Sequence, residues 1–134
     1  EENNNCILLS VHQNYFKESK YHGLQVFYSK NHPSSKFLAD EIQKSVSLQL
    51  QPDNTRQIKE SGTDIYLLYH SPVPSVMVEC GFMSNEAEAD KLKNEDYQKL
   101  ISEYITEGLI KFIEGNSKGE KINGDENKKY FRVQ

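Results

Sequence analysis

Two short apolar segments of the chain each lead into a polar, reactive side chain. Residues 6–11 precede His12, and residues 74–78 precede Glu79. Short apolar runs bounded by turn residues are typical of strands buried on both faces of a parallel sheet. Sites in such sheets form beyond the carboxyl ends of the strands. If the two strands are parallel neighbours, we expect the imidazole and the carboxylate to meet at one edge of the sheet.

Further elements follow from the spacing of apolar residues. Residues 23–29 alternate and contain β-branched and aromatic side chains, which predicts a strand. Apolar residues at helical spacing predict a helix that begins at Ser34 or Ser35, with serine as N-cap, and ends before Pro52. The apolar run 65–69 predicts one more strand of the same sheet.

Two helices are expected after the strand that leads to Glu79. The first is capped by Ser84 or Asn85, and Glu88 follows Asn85 at the spacing of a capping arrangement. The second has apolar residues three and four apart and should span about residues 95–114. Gly115 is then expected to end it, since glycine is common just past a helix C-terminus.

The order of these elements predicts an α/β fold with a mostly parallel sheet flanked by helices. A chain of 134 residues is the usual size of a single domain. Residues 116–134 are polar and contain glycine, so we expect a flexible tail outside the core. The core domain is therefore assigned to residues 1–115.

Charge and hydropathy exclude some partners. The net charge of −4 gives no indication of nucleic-acid binding. No segment has the length and apolar character of a transmembrane helix. The first residues, Glu1 to Asn5, do not have the pattern of a signal peptide.

Several motifs, taken in order, resemble one enzyme family. They occupy residues 10–14 (SVHQN), 23–28, 54–56 and 74–85. Together they are similar to the zinc-dependent N-acetylmuramoyl-L-alanine amidases, over about residues 6–113. Residues 14–21 are most similar to the sporulation branch of that family, which acts on spore cortex. Each motif alone is weak, and their combination and order carry the resemblance.

The resemblance implies hydrolysis of the amide between muramic acid and the first alanine of the peptidoglycan stem peptide, outside the cell or in its envelope. His12 corresponds to a zinc-binding histidine and Glu79 to the catalytic glutamate. Arg56 and Asn14 correspond to the substrate side of the site. The arginine could pair with stem-peptide carboxylates, organise the groove, or simply be a solvated loop residue. An activating protein partner or a homodimer is compatible with this family.

Two zinc ligands of the family have no counterpart in the chain. These are a histidine in a Gly-His-Gly turn and a glutamate after it. Catalytic zinc normally has three protein ligands, so the resemblance implies an amidase domain that lacks its N-terminal part. His22, His32 and His70 could serve as replacements or be loop histidines. His70 is the best reserve candidate, because its loop leads into the Glu79 strand.

Two other functions remain open at this point. The chain could be a remnant that keeps the fold without holding zinc, and so acts only as a binding or interaction piece. Alternatively, Cys80 could be a nucleophile with His12 as its base, or merely a small buried apolar residue. A disulfide between Cys6 and Cys80 is not expected, since they would sit at opposite ends of neighbouring parallel strands.

Overall fold

A computed structural model of the chain describes residues 6–120 and 132–133, and it describes side chains for residues 6–116. The elements of the described residues, in chain order, are β1 (Leu8–Asn14), β2 (Gln25–Tyr28), α1 (Ser34–Gln49), β3 (Lys59–Glu60), α2 (Tyr66–His70), β4 (Ser75–Phe82), α3 (Glu86–Lys93), α4 (Glu95–Glu120) and β5 (Arg132–Val133).

The strands form one sheet in the order β3-β2-β4-β1-β5. β1 runs parallel to both β4 and β5, and β2 runs parallel to β3. Only the pairing of β2 with β4 is antiparallel among the described strands. The expected α/β fold, with a mostly parallel sheet and flanking helices, is confirmed.

The hydrophobic core lies between the sheet and the helices. Alternate residues of β4, namely Val76, Val78 and Cys80, are buried there together with apolar residues of α1, α3 and α4. α1 and α4 approach closely at Gly108, where an added Cβ would lie 2.6 Å from Ile42 Cα. Such an approach is open only to glycine, and it lets the two helices cover the same face of the sheet.

β1 is less buried than its apolar sequence indicates. Leu9 is in the core, but Val11, two residues further on the same face, is 45% exposed. β5 pairs only with Leu8 and Leu9, so the second half of β1 forms the edge of the described sheet. The expectation of burial on both faces is therefore wrong for this half of the strand.

The helix predictions are confirmed in position and corrected at their ends. α1 begins at Ser34, as expected, but its N-cap is Pro33 and no side chain caps it. Asn85 caps α3 as predicted, because its side chain accepts a hydrogen bond from the Glu88 backbone. The predicted end of the last helix at Gly115 is wrong, since α4 continues to Glu120.

The strand predicted over 65–69 is also wrong. This segment forms α2, in which the Tyr69 N–H donates to the Ile65 carbonyl. A short apolar run fits a strand or a helix equally well, and here only Leu68 is buried. β3 was not expected at all, because two exposed polar residues carry no strand pattern.

Most of the polar segment 116–134 lies outside the described residues. Beyond Asn116, the structure gives only the backbone of residues 117–120 in α4 and of residues 132–133 in β5. Whether this segment is a flexible tail therefore stays a prediction. Among the helices of the described residues, none combines the length and the apolar character that a bilayer crossing requires.

Candidate functional site

His12, Glu79 and Gln25 occupy neighbouring positions on three adjacent strands. His12 pairs with Glu79 across β1 and β4, and Glu79 pairs with Gln25 across β4 and β2. Side chains at paired positions lie on the same face of a sheet, here the face opposite Val78 and Cys80. The predicted pairing is thus present, although β1 and β4 continue beyond both residues, to Asn14 and Phe82.

The Glu79 carboxylate is only partly solvated. Its Oε2 atom is buried and accepts no hydrogen bond from the described residues. Burial raises the pKa of the Glu79 carboxyl above its ordinary value, and the neighbouring His12 acts in the opposite direction. A carboxylate with a raised pKa and an unused buried oxygen is suited to accept a proton.

His12 is exposed, and one of its ring nitrogens is engaged within β1. Its Nε2 lies 2.7 Å from Oγ of Ser10, which is buried on the same face. This contact orients the imidazole ring. Nδ1 forms no hydrogen bond to the described part of the chain, so it remains available to a ligand.

The described residues do not assemble a complete metal site. No group of three or more histidine, cysteine, aspartate or glutamate side chains in residues 6–116 has a metal-binding arrangement. His32 follows β2 and His70 precedes β4, so both lie at the end of the sheet away from Glu79. His70 packs against Tyr66 and Tyr69 in α2, and it is not the reserve ligand that its loop suggested.

Arg56 lies on aromatic rings beside this row of residues. Its guanidinium carbon is 4.6 Å from the ring centre of Phe82 and 5.8 Å from that of Tyr21. Its Nε donates to the His22 carbonyl at 2.7 Å, and Nη1 is 3.5 Å from Gln25 Oε1. Arg56 therefore organises its surroundings, and it is not a freely solvated loop residue.

Asn14 has a partly structural role. Its side-chain oxygen accepts from the Tyr15 N–H at 2.8 Å, and its carbonyl accepts from the Met83 N–H at 2.8 Å. These bonds turn the chain at the end of β1. Asn14 also borders the same depression as Arg56, so the structure brings both predicted substrate-side residues to one place.

We refer to this depression as the aromatic groove. It has a volume of about 290 Å³. Its lining consists of Asn14, Phe16, Tyr21, Gln25, Phe27, Arg56, Lys59 and Phe82. Gln25 and Lys59 were missed in the sequence. The alternation of β2 could have placed Gln25 on the polar face, but nothing in the pattern indicated that Lys59 lies on a strand.

The sequence identified Glu88 only as part of a capping arrangement, and its second role was missed. Its carboxylate accepts hydrogen bonds from the backbone N–H groups of Gly23 and Phe82, at 2.7 to 2.8 Å. A Cβ added at Gly81 would overlap the Glu88 carboxylate, so a side chain at this position would have to displace that carboxylate from its backbone partners. Glu88 thereby joins the end of the β1–β2 loop to the end of β4, next to the groove.

Cys80 does not have the properties of a nucleophile. It is only 7% exposed and packs in the core, on the face of β4 opposite His12. Burial, reinforced by the charge of Glu79, raises the pKa of the Cys80 thiol to about 11. A buried thiol that stays protonated and cannot reach the imidazole is not activated, and the interpretation as a small buried apolar residue is favoured.

Comparison with known proteins places this geometry in a family. The sequence pattern of the family described as N-acetylmuramoyl-L-alanine amidase matches residues 1–111. YqiI of Bacillus subtilis is 32% identical over 110 residues, which cover 81% of this chain and 52% of that protein. The germination-specific N-acetylmuramoyl-L-alanine amidase of Bacillus subtilis is 27% identical over 111 residues, covering 80% of this chain and 44% of that protein.

Solved structures agree with the sequence relatives. The CwlD amidase from Clostridioides difficile, in complex with the GerS lipoprotein, has a TM-score of 0.78 and 40% identity, over 81% of this chain and 55% of that chain. An N-acetylmuramoyl-L-alanine amidase from Clostridium difficile 630 has a TM-score of 0.73 and 28% identity, over 81% of this chain and 57% of that one. The chain spans about half the length of these relatives. With residues 1–111 of its 134 residues matched by the family pattern, the chain belongs to the N-acetylmuramoyl-L-alanine amidase family.

Proposed function

We propose that this chain carries the proton-accepting carboxylate and one metal-side imidazole of a peptidoglycan amidase. The reaction is hydrolysis of the amide between N-acetylmuramic acid and L-alanine, in the cell wall or the spore cortex. One observation carries the proposal. Glu79 and His12 are paired on adjacent strands, and the buried Oε2 atom of Glu79 has no partner in the described chain.

Glu79 is the general base in this proposal. It accepts a proton from water while the water oxygen bonds to the carbonyl carbon. The carbon–nitrogen bond then breaks, and the same proton passes to the departing amine. Burial raises the pKa of Glu79 above its ordinary value, which makes the carboxylate a stronger base than an exposed glutamate.

Zinc is the cofactor that this family implies, but the described residues do not fit a complete zinc site. A catalytic zinc ion takes three protein ligands and keeps one open position, whereas this surface offers His12 alone. His12 would be one ligand, through the nitrogen that Ser10 leaves unbound. The other ligands would have to come from residues outside those described.

The family supports a proposal for the substrate class and the location. Peptidoglycan is the substrate class, with Asn14 and Arg56 at the rim where the stem peptide would pass. An enzyme that acts on peptidoglycan works in the cell envelope or outside the cell. The CwlD amidase was solved together with a lipoprotein, which supports a protein partner for this chain as well.

The test measures zinc binding and hydrolysis with the same protein. The chain is titrated with Zn²⁺ and then assayed at saturating Zn²⁺ for release of the alanine amino group from a muramoyl peptide. We expect zinc affinity weaker than micromolar, because a single imidazole is a poor site. We expect Glu79→Gln to lower the rate at least about 100-fold, the usual contribution of a general base, with zinc affinity unchanged.

Lys30→Met is the matched control for this experiment. Lys30 lies on the ring of Tyr69, beyond the end of β2 that faces away from Glu79, so its removal should leave the rate unchanged. A wild-type rate no higher than that of Glu79→Gln at saturating zinc would overturn the proposal. Stoichiometric zinc at micromolar protein would show that further ligands exist in this chain.

The incomplete ligand set favours one second candidate. A chain that keeps the fold but lacks a zinc site would act only as a peptidoglycan-binding or interaction piece. Sedimentation with purified peptidoglycan separates the two. Binding without any release of amino groups, unaltered in Glu79→Gln, identifies this second function.

A further inference from the structure

The aromatic groove lies on the same face of the sheet as Glu79, one strand away. Gln25 lines the groove and is also the β2 partner of Glu79. Phe27 follows on the same face of β2, and Lys59 is its partner on β3. The groove therefore runs from the proposed reacting centre across β2 to the edge of the sheet.

The charge of the groove is positive and not compensated. Its lining contains Arg56 and Lys59 and no aspartate or glutamate. Neither cation forms a salt bridge with any residue of the described chain, in which Lys20 pairs with Glu18 and Lys44 with Asp40. A surface with two unpaired cations attracts an anionic group.

Both cations lie on aromatic rings, which fixes where their charge is presented. The Lys59 ammonium is 5.9 Å from the ring centre of Phe27, and the Arg56 guanidinium lies on Phe82. A guanidinium has five N–H donors, of which the described chain engages those on Nε and Nη1. The remaining donors can bind a carboxylate, while the rings contact the aliphatic part of the same ligand.

The position of the cations determines which carboxylate they would meet. Adjacent strands lie about 4.8 Å apart, so β3 is about 10 Å from β4. Lys59 pairs with Phe27, whose partner on β4 is Met77, two residues before Glu79, so the Lys59 backbone lies roughly 12 Å from that of Glu79. An extended peptide advances about 3.3 Å per residue. A peptide whose scissile amide lies at Glu79 thus brings its second or third residue within reach of the long Lys59 side chain. Arg56 lies between the two, because its Nη1 contacts the side chain of Gln25, the partner of Glu79.

We propose that the aromatic groove is a specificity subsite for an acidic stem peptide. Lys59 and Arg56 bind a carboxylate on the second or third residue, and Phe27 and Phe82 contact the chain that carries it. This inference rests on the proposed function for its substrate class. It adds Lys59 as a binding residue and a preference for peptides with a free carboxylate over peptides in which that group is amidated.

The experiment measures binding only, so that it is independent of hydrolysis. The probes are N-acetyl-L-alanyl-γ-D-glutamyl-L-alanine amide and the matched peptide whose free glutamyl carboxylate is a carboxamide. Calorimetry or NMR titration with the full chain gives the two dissociation constants. We expect the acidic peptide to bind about five- to tenfold more tightly, as for a charge-assisted contact that is partly exposed.

Variants of Lys59 test whether the groove causes this preference for the acidic peptide. Lys59→Met should weaken binding of the acidic peptide about fivefold and leave the amidated peptide unchanged, while Lys59→Arg should retain the preference. Lys30→Met is again the control, because it also removes a lysine that lies on an aromatic ring. Lys59 is exposed on an edge strand, so its replacement should not affect folding, which a melting curve verifies.

Two results would overturn the inference. Equal affinity for the two peptides would show that the groove does not select a carboxylate. An unchanged preference in Lys59→Met would leave this lysine as a charge that merely protects a sheet edge from pairing. Peptide binding with the expected preference but without hydrolysis would support the subsite while contradicting the proposed activity.

Discussion

On the face of the sheet that α1 and α4 cover, β4 presents Val76, Val78 and Cys80, which are all buried in one apolar cluster. On the opposite face, the same strand presents Glu79, which has a raised pKa and a buried oxygen without a hydrogen-bond partner in the described part of the chain. Side chains one position apart along this strand thus lie in different environments, one apolar and buried and the other partly solvated.

The comparison shows how the fold separates stability from chemistry. Apolar burial on the helix-covered face supplies the favourable free energy of folding. That surplus allows the other face to carry a partly buried carboxylate, whose desolvation costs stability, beside cations that form no salt bridge with the described residues. Changes on the first face should therefore alter folding, and changes on the second should alter proton transfer and binding.

The largest effect on the helix-covered face is expected at Gly108. Gly108→Ala places a Cβ against the backbone of Ile42, only 2.6 Å from its Cα, so α1 and α4 must separate. We expect a loss of about 2–3 kcal/mol in unfolding free energy, as for overpacked cores, measured by urea denaturation.

Gly115 provides the matched control in the same helix. Among the described residues, no atom outside the adjoining helix turns lies within 4 Å of a Cβ added there, and alanine favours a helix over glycine by about 1 kcal/mol. Gly115→Ala should therefore be neutral or stabilising. A destabilised Gly115→Ala would instead indicate that the helix ends there, as the sequence alone suggested.

The two cysteines sharpen the contrast in accessibility. Cys6 is exposed, whereas Cys80 is buried with a pKa of about 11. At neutral pH about one Cys80 thiol in 10⁴ is ionised, so alkylation of the native chain should modify Cys6 at least about 100-fold faster. Mass spectrometry of the time course measures both rates. Comparable rates would return Cys80 to the candidate nucleophiles.

The smallest expected change in the free energy of unfolding comes from removing the charge of Glu79. The folded state raises the pKa of Glu79, so it binds the proton more tightly than the unfolded chain does. Stability due to this group is present at low pH and falls as pH rises from the ordinary glutamate pKa through the raised one.

Glu79→Gln removes that fall in stability. The variant should be up to about 1 kcal/mol more stable than wild type at pH 7, a modest gain because the side chain is half-buried. Thermal unfolding at several pH values measures the difference, with the exposed Glu103→Gln as control. We expect the stability difference between variant and wild type to grow in favour of the variant as pH rises. A difference that instead shrinks from acidic to neutral pH would contradict this prediction.

The local pattern of apolar residues was sufficient to predict the elements that are strongly apolar and that pair or pack with distant parts of the chain. The runs that became β1 and β4 predicted the pairing of His12 with Glu79, and helical spacing predicted α1. The same reasoning failed for α2, where an apolar run of five residues has no period that separates helix from strand. It also failed at Gly115, because a glycine tolerated inside α4 has the same sequence signal as one that ends a helix.

The polar contacts of the site could not be read from local pattern. Glu88 has the spacing of a capping residue, yet its carboxylate binds the backbone of Gly23, which is 65 residues away in sequence. Arg56 was placed near the site by family resemblance, but its stacking on Phe82 depends on how the loop before β3 meets the end of β4. Such contacts are set by tertiary structure, and no sequence period encodes them.

The carboxylate of Glu88 has a consequence for how the chain folds. It joins the loop before β2 to the end of β4, so the wall of the aromatic groove exists only after both segments have closed around α3. The contact between Gly23 and Glu88 spans 65 residues, so we expect it to form late, since its loop-closure entropy must first be overcome. A ligand of the groove would then bind only the finished fold. It would raise the melting temperature of the entire domain by mass action, so thermal shift could serve as a first screen for such ligands.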